Sequence, residues 1–307
     1  MPRNKFWVWP YKQSSRGAIA LAHALDGYCI LRENSRYQQQ EGDVIINWGD
    51  GYCRFDGALN KNPNIAIDKI AFYRRLQDTG TVPVSTTSTA GVATLMSFPV
   101  LCRTRTEGAD GAGIVIAENY YDLVDAPLYV KLMPKTHEFR VHVGRFPHGQ
   151  IEIIHVQPKI HQTVEGVDPR IWTGESTMLS DRECTVPDAV TSVVTRAMEA
   201  LTELDFGGFD VIYDDTTDTA YVVEVNSAPM QTNASSQAYA RFFNRWVEFR
   251  DNPPQPAEVE EPIVVEPDYE PSEHEIGEAF NGLMSGASLR DILAGYLRDK
   301  RRNELNG

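Results

Sequence analysis

Two short apolar runs hold the residues best suited to chemistry. Residues 209–213 contain Asp210, residues 220–225 contain Glu224, and Asn226 follows directly. The stretch between them, 214–219, is Asp, Thr and polar turn material throughout. A hairpin centred near Thr217 sets residue 210 opposite residue 224, and opposed side chains on one face lie about 5 Å apart at Cβ. Asn226 has the same parity as Glu224 and faces the same way. Two carboxylates so close repel, and burying them without a counter-charge is costly. A divalent cation resolves the conflict. Magnesium favours hard oxygen ligands and shares its shell with phosphates and water. The alternative is a solvated acidic hairpin. Val211, Tyr213, Val223 and Val225 are expected to pack the ribbon's other face, which favours the metal.

Groups suited to phosphate lie upstream. Arg103 ends the apolar run 100–102, and Arg105, Thr106, Gly108, Gly111 and Gly113 follow. A glycine-rich turn can present backbone N–H groups to phosphate oxygens, although such turns are as often plain connections. The Gly-x-x-x-x-Gly-Lys-Ser/Thr loop is absent from the sequence. Lys69, Lys131 and Lys159, each taken alone, read as surface lysines. Glu138 and Arg140 share a strand face, where a mutual salt bridge is the plain expectation. The five histidines from His137 to His161 fall in no metal-binding spacing and read as structural or surface residues.

These residues need a scaffold of alternating elements. Short strands are expected near 5–9, 28–31 and 44–48, with a helix from Ser14-Ser15 to about Leu25. The Gly49-Asp50-Gly51 turn lies at a strand's C-terminal end, where open α/β sheets place ligands. A helix is expected over 64–76 with Ile67, Ile70, Ala71 and the Arg74 stem inward, and another near 91–97. Strands follow at 100–104, 114–117, 128–132, 138–143 and 151–156. Residues 188–204 form the strongest helical pattern, with Val190, Val193, Val194, Ala197, Met198 and Leu201 on one face. A last body helix is expected over 237–249.

Composition narrows the class. Hydrophobic residues make up 42% of the 307, which suits a globular chain. No apolar run is long enough to span a bilayer, and the N-terminus does not read as a signal peptide. The four cysteines form no C-x-x-C pair, so a soluble cytoplasmic protein with reduced thiols is expected. Net charge is −14, against a general nucleic-acid or acidic-membrane binder. Residues 251–307 contribute −8 of it, from 13 acidic and 5 basic residues. Within them 251–275, with six prolines and no Lys or Arg, reads as a linker. The apolar helical stretch 276–307 is expected to pack on the body, on a second subunit or on a partner.

Taken in order, the motifs resemble the ATP-grasp superfamily, over roughly residues 60–235. They are Asp68-Lys69, Thr81-Val82-Pro83, the basic strand end at Arg103, the 106–113 loop and Leu128-Tyr-Val-Lys-Leu-Met133. Glu138-Phe-Arg140-Val, Phe209-Asp210 and Glu224-Val-Asn226-Ser-Ala-Pro229 complete them. The N-terminal unit, ending in Asn47-Trp48-Gly49, resembles that of bacteriophage-encoded ATP-grasp proteins. The resemblance implies an α/β class, in its α+β ATP-grasp form. A pre-ATP domain (1–62) would precede two lobes clasping ATP (63–250), a flap lobe over about 81–133 and a metal lobe over about 134–250.

The same resemblance implies roles. Lys69, Arg103, Thr106, Gly108, Gly111 and Gly113 would serve the phosphates, Lys131 and Leu132 the adenine, and Glu138 the ribose. Asp210, Glu224 and Asn226 would hold Mg2+, or Mn2+. Arg140 and Lys159 would face the γ-phosphate or the acceptor. The implied activity is ATP-dependent joining of a carboxylate to an amine, on small-molecule, peptide or protein substrates. A small-molecule kinase and a nucleotide-binding interaction protein are the alternatives. Members acting on amino-acid carboxylates often carry an arginine two residues before the metal aspartate. Gly208 stands there instead, which leaves the acceptor open.

Overall fold

The computed structural model describes residues 6–25, 30–31, 34–95, 97–106, 113–165, 168–171, 177–182, 184–229 and 231–253. The expected linker beyond Pro253 and the tail helix lie outside these residues, as do Tyr28 and Cys29 of the expected strand at 28–31 and glycines 108 and 111.

The N-terminal unit is β1 (Phe6–Pro10), α1 (Arg16–Ala24) and β2 (Val44–Trp48). The two strands pair in parallel from Phe6↔Val44 to Pro10↔Trp48. Ser15 caps α1, its hydroxyl accepting from the Ala18 N–H at 3.3 Å. One face of the strands closes locally, Trp9 and Ile45 packing with Leu31, Cys53, Phe55 and Ala58, and the other does not. Leu21, Ala22, Ile46 and Trp48 share one core with Phe206, Tyr239, Phe242 and Phe243 far along the chain. Asn60 ties the same regions together with a polar staple. Its side chain accepts from the Asp205 N–H (2.7 Å) and donates to the Phe206 carbonyl (2.9 Å).

The expected helix over 64–76 is in two pieces, a 3₁₀ turn at Asn64–Ala66 and α2 (Lys69–Leu76), whose N-cap is Asp68. Its inward face agrees with the expectation only in part: Phe72, Tyr73 and Leu76 are buried, Ile70 is half-buried against the same core, and Ile67 is exposed. The i, i+3, i+4, i+7 stripe starts at Lys69, so the lysine shares the face that packs inward.

Next come β3 (Ser85–Thr86), α3 (Thr89–Leu95), β4 (Val100–Arg103), β5 (Ile114–Ala117) and β6 (Leu128–Lys131). The four strands form an antiparallel sheet in the order β3-β6-β4-β5. Its own small core contains Val92, Val100, Cys102, Ala117, Ala126 and Tyr129.

The second antiparallel sheet has five strands. They are β7 (His137–Arg145), β8 (Ile151–His161), β9 (Thr177–Leu179), β10 (Phe206–Asp214) and β11 (Thr219–Asn226), in the order β11-β10-β7-β8-β9. Between β9 and β10 runs α4 (Asp188–Ala200), and α5 (Asn233–Asp251) closes the described chain. Strand alternation decides the layers. Phe139, Val141, Val143, Phe209 and Val211 turn to the side covered by α4 and α2, with Val190, Val193, Val194, Ala197 and Met198 completing that core. The opposite parity, Glu138, Arg140 and Asp210 among it, faces the other way.

Candidate active site

The hairpin β10–β11 has the expected pairing at its functional end, Asp210↔Glu224. A β-bulge follows immediately, and from there Val211 opposes Val222. One residue of slip exchanges the faces of a strand. Val222 and Ala220 therefore enter the core in place of Val223, which lines the cleft beside Glu224. The expectation that Val223 packs on the far side is corrected by this bulge.

The neighbouring strand brings Arg140 directly opposite Asp210. Its guanidinium grips the carboxylate at both oxygens, Nε to Oδ1 at 2.7 Å and Nη2 to Oδ2 at 2.8 Å. Lys159 Nζ adds a third contact to Oδ2 at 2.9 Å and stands 3.5 Å from Glu138 Oε1. Lys135 Nζ lies 3.7 Å from Glu138 Oε2, and Lys69 Nζ 3.4 Å from Glu224 Oε1. Burial by itself raises the pKa of Asp210. The charges of Arg140 and Lys159 outweigh it and hold the carboxyl well below the usual range. Burial likewise lowers Lys135, against the pull of Glu138. Glu138 thus pairs with the two lysines, and the expected Glu138–Arg140 bridge is replaced by Arg140–Asp210. Lys69 and Lys159, read alone as surface lysines, are largely buried in the cleft wall.

Arg103 reaches the cleft from the small sheet beside the Tyr73 hydroxyl, and its Nε is buried without a hydrogen-bond partner. Among the described residues it forms no ion pair. Thr106 approaches the first turn of α2, its carbonyl accepting from the Lys69 N–H at 3.4 Å. Gly113 has a positive φ of 78° and its carbonyl accepts from the Thr104 N–H at 2.8 Å, which closes the base of the expected flap.

Lys131 and Leu132 line the cleft where the adenine was expected. The Lys131 ammonium turns instead onto Ser97 and the Phe98 carbonyl. The N–H groups of Lys131 and Leu132 donate to the carbonyls of Val84 and Pro99, so neither is the donor that reads a base. Around them Pro83, Leu101, Val130, Met133 and Ile212 make an apolar slot.

The cleft between the two sheets is lined by seven basic side chains (Lys69, Arg103, Arg105, Lys131, Lys135, Lys159, Arg170) and three acidic ones (Glu138, Asp210, Glu224). In a chain of net charge −14 this is a local reversal of sign. Its free space is about 110 Å³, below the roughly 300–1,000 Å³ usual for a ligand site. The basic side chains fold back on the carboxylates and fill the polar end. Lys135, Tyr73 and Arg170 are cleft residues that the sequence reading missed. Tyr73 was legible, since it lies four residues after Lys69 on a helix. Lys135 and Arg170 lie in loops with no such signal.

For a metal, the donor chemistry fits: Asp210 in the middle of β10 and Glu224 and Asn226 at the end of β11 supply hard oxygens from two paired strands. The Asn226 amide nitrogen is buried without a hydrogen-bond partner. Asp210 is already held by two cations, so a metal there shares that carboxylate, and Glu224 is the freer ligand. Among the described residues no cluster of three or more His, Cys, Asp or Glu is arranged to hold a metal.

Gly208 is explained by packing. A Cβ there would stand 2.6 Å from the Pro229 ring and 3.6 Å from Arg140 Cδ. The space that a side chain at 208 would enter is taken by Pro229 and flanked by the stem of Arg140.

No protein-family model matches the sequence, and no curated protein does. Solved structures do resemble it. A D-alanine–D-alanine ligase from Bacillus anthracis superposes with a TM-score of 0.53 at 15% identity, covering 80% of this chain and 98% of that one. A D-Ala:D-Ser ligase from Enterococcus faecalis gives 0.53 at 11% identity, over 80% and 100%. An ADP complex of PurK, the N5-carboxyaminoimidazole ribonucleotide synthetase, gives 0.52 at 16% identity, over 78% and 76%. At these identities the likeness is one of architecture, and the architecture is the α+β ATP-grasp fold.

Proposed function

We propose that this chain is an ATP-dependent ligase that joins a carboxylate to an amine through an acyl phosphate. The observation that carries the reading is the basic cleft between two antiparallel sheets, with Asp210 and Glu224 paired at its floor. The fold shared with the ligases above supports it. The reading includes magnesium, or manganese, as the metal and a phage-type protein acting in its host's cytoplasm.

Asp210, Glu224 and Asn226 would hold the metal, which supplies Lewis-acid charge at the phosphates. Arg103, with its partnerless Nε, takes the phosphate chain from the small sheet. Lys69 and Lys159 leave their carboxylates for phosphate oxygens as the nucleotide enters. The apolar slot at Pro83, Leu101, Val130 and Ile212 takes the base, and Glu138 the ribose. A carboxylate oxygen of the acid attacks the γ-phosphorus in line, and ADP leaves. The amine nitrogen then attacks the acyl carbon, inorganic phosphate departs and the nitrogen loses a proton. No protein nucleophile is needed. The flap expected at 106–113 keeps water from the acyl phosphate.

The test is ADP release measured with acids crossed against amines. Wild-type release is expected to require both, and Glu224→Ala to lower it at least about a hundredfold, as loss of a main electrostatic stabiliser does. Equal release from the variant removes the metal assignment.

A further inference from the structure

The parallel strands β1 and β2 end beside the N-terminus of α1 and the turn Gly49-Asp50-Gly51, the edge where open α/β sheets place ligands. The first turn of α1 contains no acid; Arg16 opens the helix and Lys12 lies shortly before it. Both cations are exposed, and neither forms an ion pair among the described residues. Such charges are repelled by the positive end of the helix dipole. The Ser15 hydroxyl accepts from the Ala18 N–H, while the N–H groups of Arg16 and Gly17 have no acceptor among the described residues. Trp48 is wholly buried and turns its indole N–H to the same place. Its Nε1 has no hydrogen-bond partner and stands 3.1 Å from the point where a Gly17 Cβ would lie. Gln231 Cγ is 3.6 Å from that point, and both polar atoms of its amide are buried without partners. Asp50, the acid of the turn, is already engaged by Trp9 Nε1 at 2.9 Å and the Tyr52 N–H at 3.3 Å. Buried donors without acceptors are rare and costly, and here they gather from α1, β2 and the segment before α5.

A helix N-terminus with unpaired donors and flanking cations fits an anion. We infer that this spot binds a second anionic group of the acid substrate, remote from the carboxylate that takes up phosphate, so that the acid is a dicarboxylate or a phosphorylated carboxylate. The inference rests on the ligase reading, since it names the acid of that reaction. Pro229 joins the spot to the cleft. Its carbonyl oxygen stands 3.4 Å from the Gly17 point, and its ring 2.6 Å from where a Gly208 Cβ would be. Gly208 pairs with Asn226 and lies against the stem of Arg140. Gly49 packs on the same segment, since a Cβ there would fall 2.5 Å from Ala228 Cβ. An acid held by one end at α1 thus extends past Pro229 with its other end toward Arg140 and Asn226. A side chain at position 17 would press on the indole N–H and crowd the anion.

The indole N–H of Trp48 reports occupancy without turnover. The experiment labels the tryptophans of the full-length protein with 15N and assigns the Trp48 resonance by its loss in Trp48→Phe. If that variant does not fold, Gly17→Ala identifies the resonance by displacing it. Succinate, glutarate, adipate and 3-phosphonopropionate are titrated against butyrate, pentanoate and hexanoate, with inorganic phosphate as the bare anion. At least one dianionic acid is expected to move the Trp48 proton downfield and to saturate, and the monocarboxylate of matched length to leave it in place. Whether a dicarboxylate or the phosphonate succeeds names the second group. In the ADP-release assay Gly17→Ala should raise the KM of that acid about tenfold or more, as loss of a hydrogen bond to a charged group does, without raising the KM of ATP. Arg16→Gln should raise it several-fold, and less so at high salt. A Trp48 resonance that answers to no anion, to inorganic phosphate alone, or equally to a monocarboxylate overturns the inference. ADP release served equally well by monocarboxylates and indifferent to Gly17→Ala overturns it while leaving the ligase reading intact. Release supported by no acid at all removes both.

Discussion

Arg140 and Asp210 meet because two strands distant in sequence lie side by side, and their pairing makes the site sensitive to single substitutions. Removing one member of a buried ion pair strands the other. Arg140→Leu is expected to destabilise the fold by about 3–5 kcal/mol, read as a lowered midpoint in urea. Little change would mean that Lys159 alone suffices for Asp210. His142, two residues on, is buried and neutral. Its Nε2 donates to Gln157 Oε1 at 2.9 Å, and burial pushes its pKa down to about 3. The unfolded chain takes up this proton near pH 6.5 and the folded chain only near 3. Stability therefore rises with pH across that window and is lost as pH falls through it. Between pH 6.5 and 5 the loss is about 2 kcal/mol, measurable by denaturant unfolding, and His142→Gln should flatten it. Asp210 acts in the same direction at lower pH. Its folded pKa is depressed, so its contribution is present above the unfolded value and disappears as pH falls below it. Much of this was legible in the sequence. Parity alone matched Asp210 with Glu224, because a hairpin is local. Arg140 as the partner of Asp210 was not legible, because the β7–β10 pairing spans about seventy residues and depends on strand order.

At the scale of elements, the failures of the sequence reading share a cause. Strand and helix patterns give faces, but a one-residue irregularity changes which residue occupies a face. The bulge after Asp210 moved Val223 into the cleft. The short 3₁₀ turn before α2 shifted its inward stripe to Lys69, Phe72, Tyr73 and Leu76, and so aimed a lysine at Glu224. Close packing between elements is similarly invisible in one sequence. Gly144 on β7 faces the Phe242 ring of α5, and a Cβ there would stand 2.3–2.7 Å from ring atoms. Gly144→Ala is expected to cost about 1–3 kcal/mol and to lower the melting temperature. Gly208→Ala should push Pro229 away and disturb the segment that follows Asn226, so that activity falls more than stability does. An alanine at 208 with unchanged turnover would show that this segment's position is not critical.

The first and last of the described elements share one core. The N-terminal strands and α1 pack on Phe206 and on α5, and Asn60 pins them to the start of β10. Asn60→Ala would leave the Asp205 N–H and the Phe206 carbonyl buried without partners. A loss of about 2–4 kcal/mol is expected, as such groups cost about 1–3 kcal/mol each. Unfolding of the shared core should stay in one transition by fluorescence and circular dichroism, because Leu21, Ile46 and Trp48 pack with Phe206, Tyr239, Phe242 and Phe243 in a single cluster. Charge is arranged on the same scale: an acidic chain folds so that basic side chains collect between its sheets, and that asymmetry underlies the functional reading. The most direct measurement follows the oxygen atom. For an acid that supports ADP release, the substrate is prepared with 18O in its carboxylate, and the phosphate formed is weighed by mass spectrometry. An acyl phosphate intermediate predicts one 18O atom in each phosphate released with the amide. Phosphate free of 18O would contradict it, since the oxygen would then have come from water.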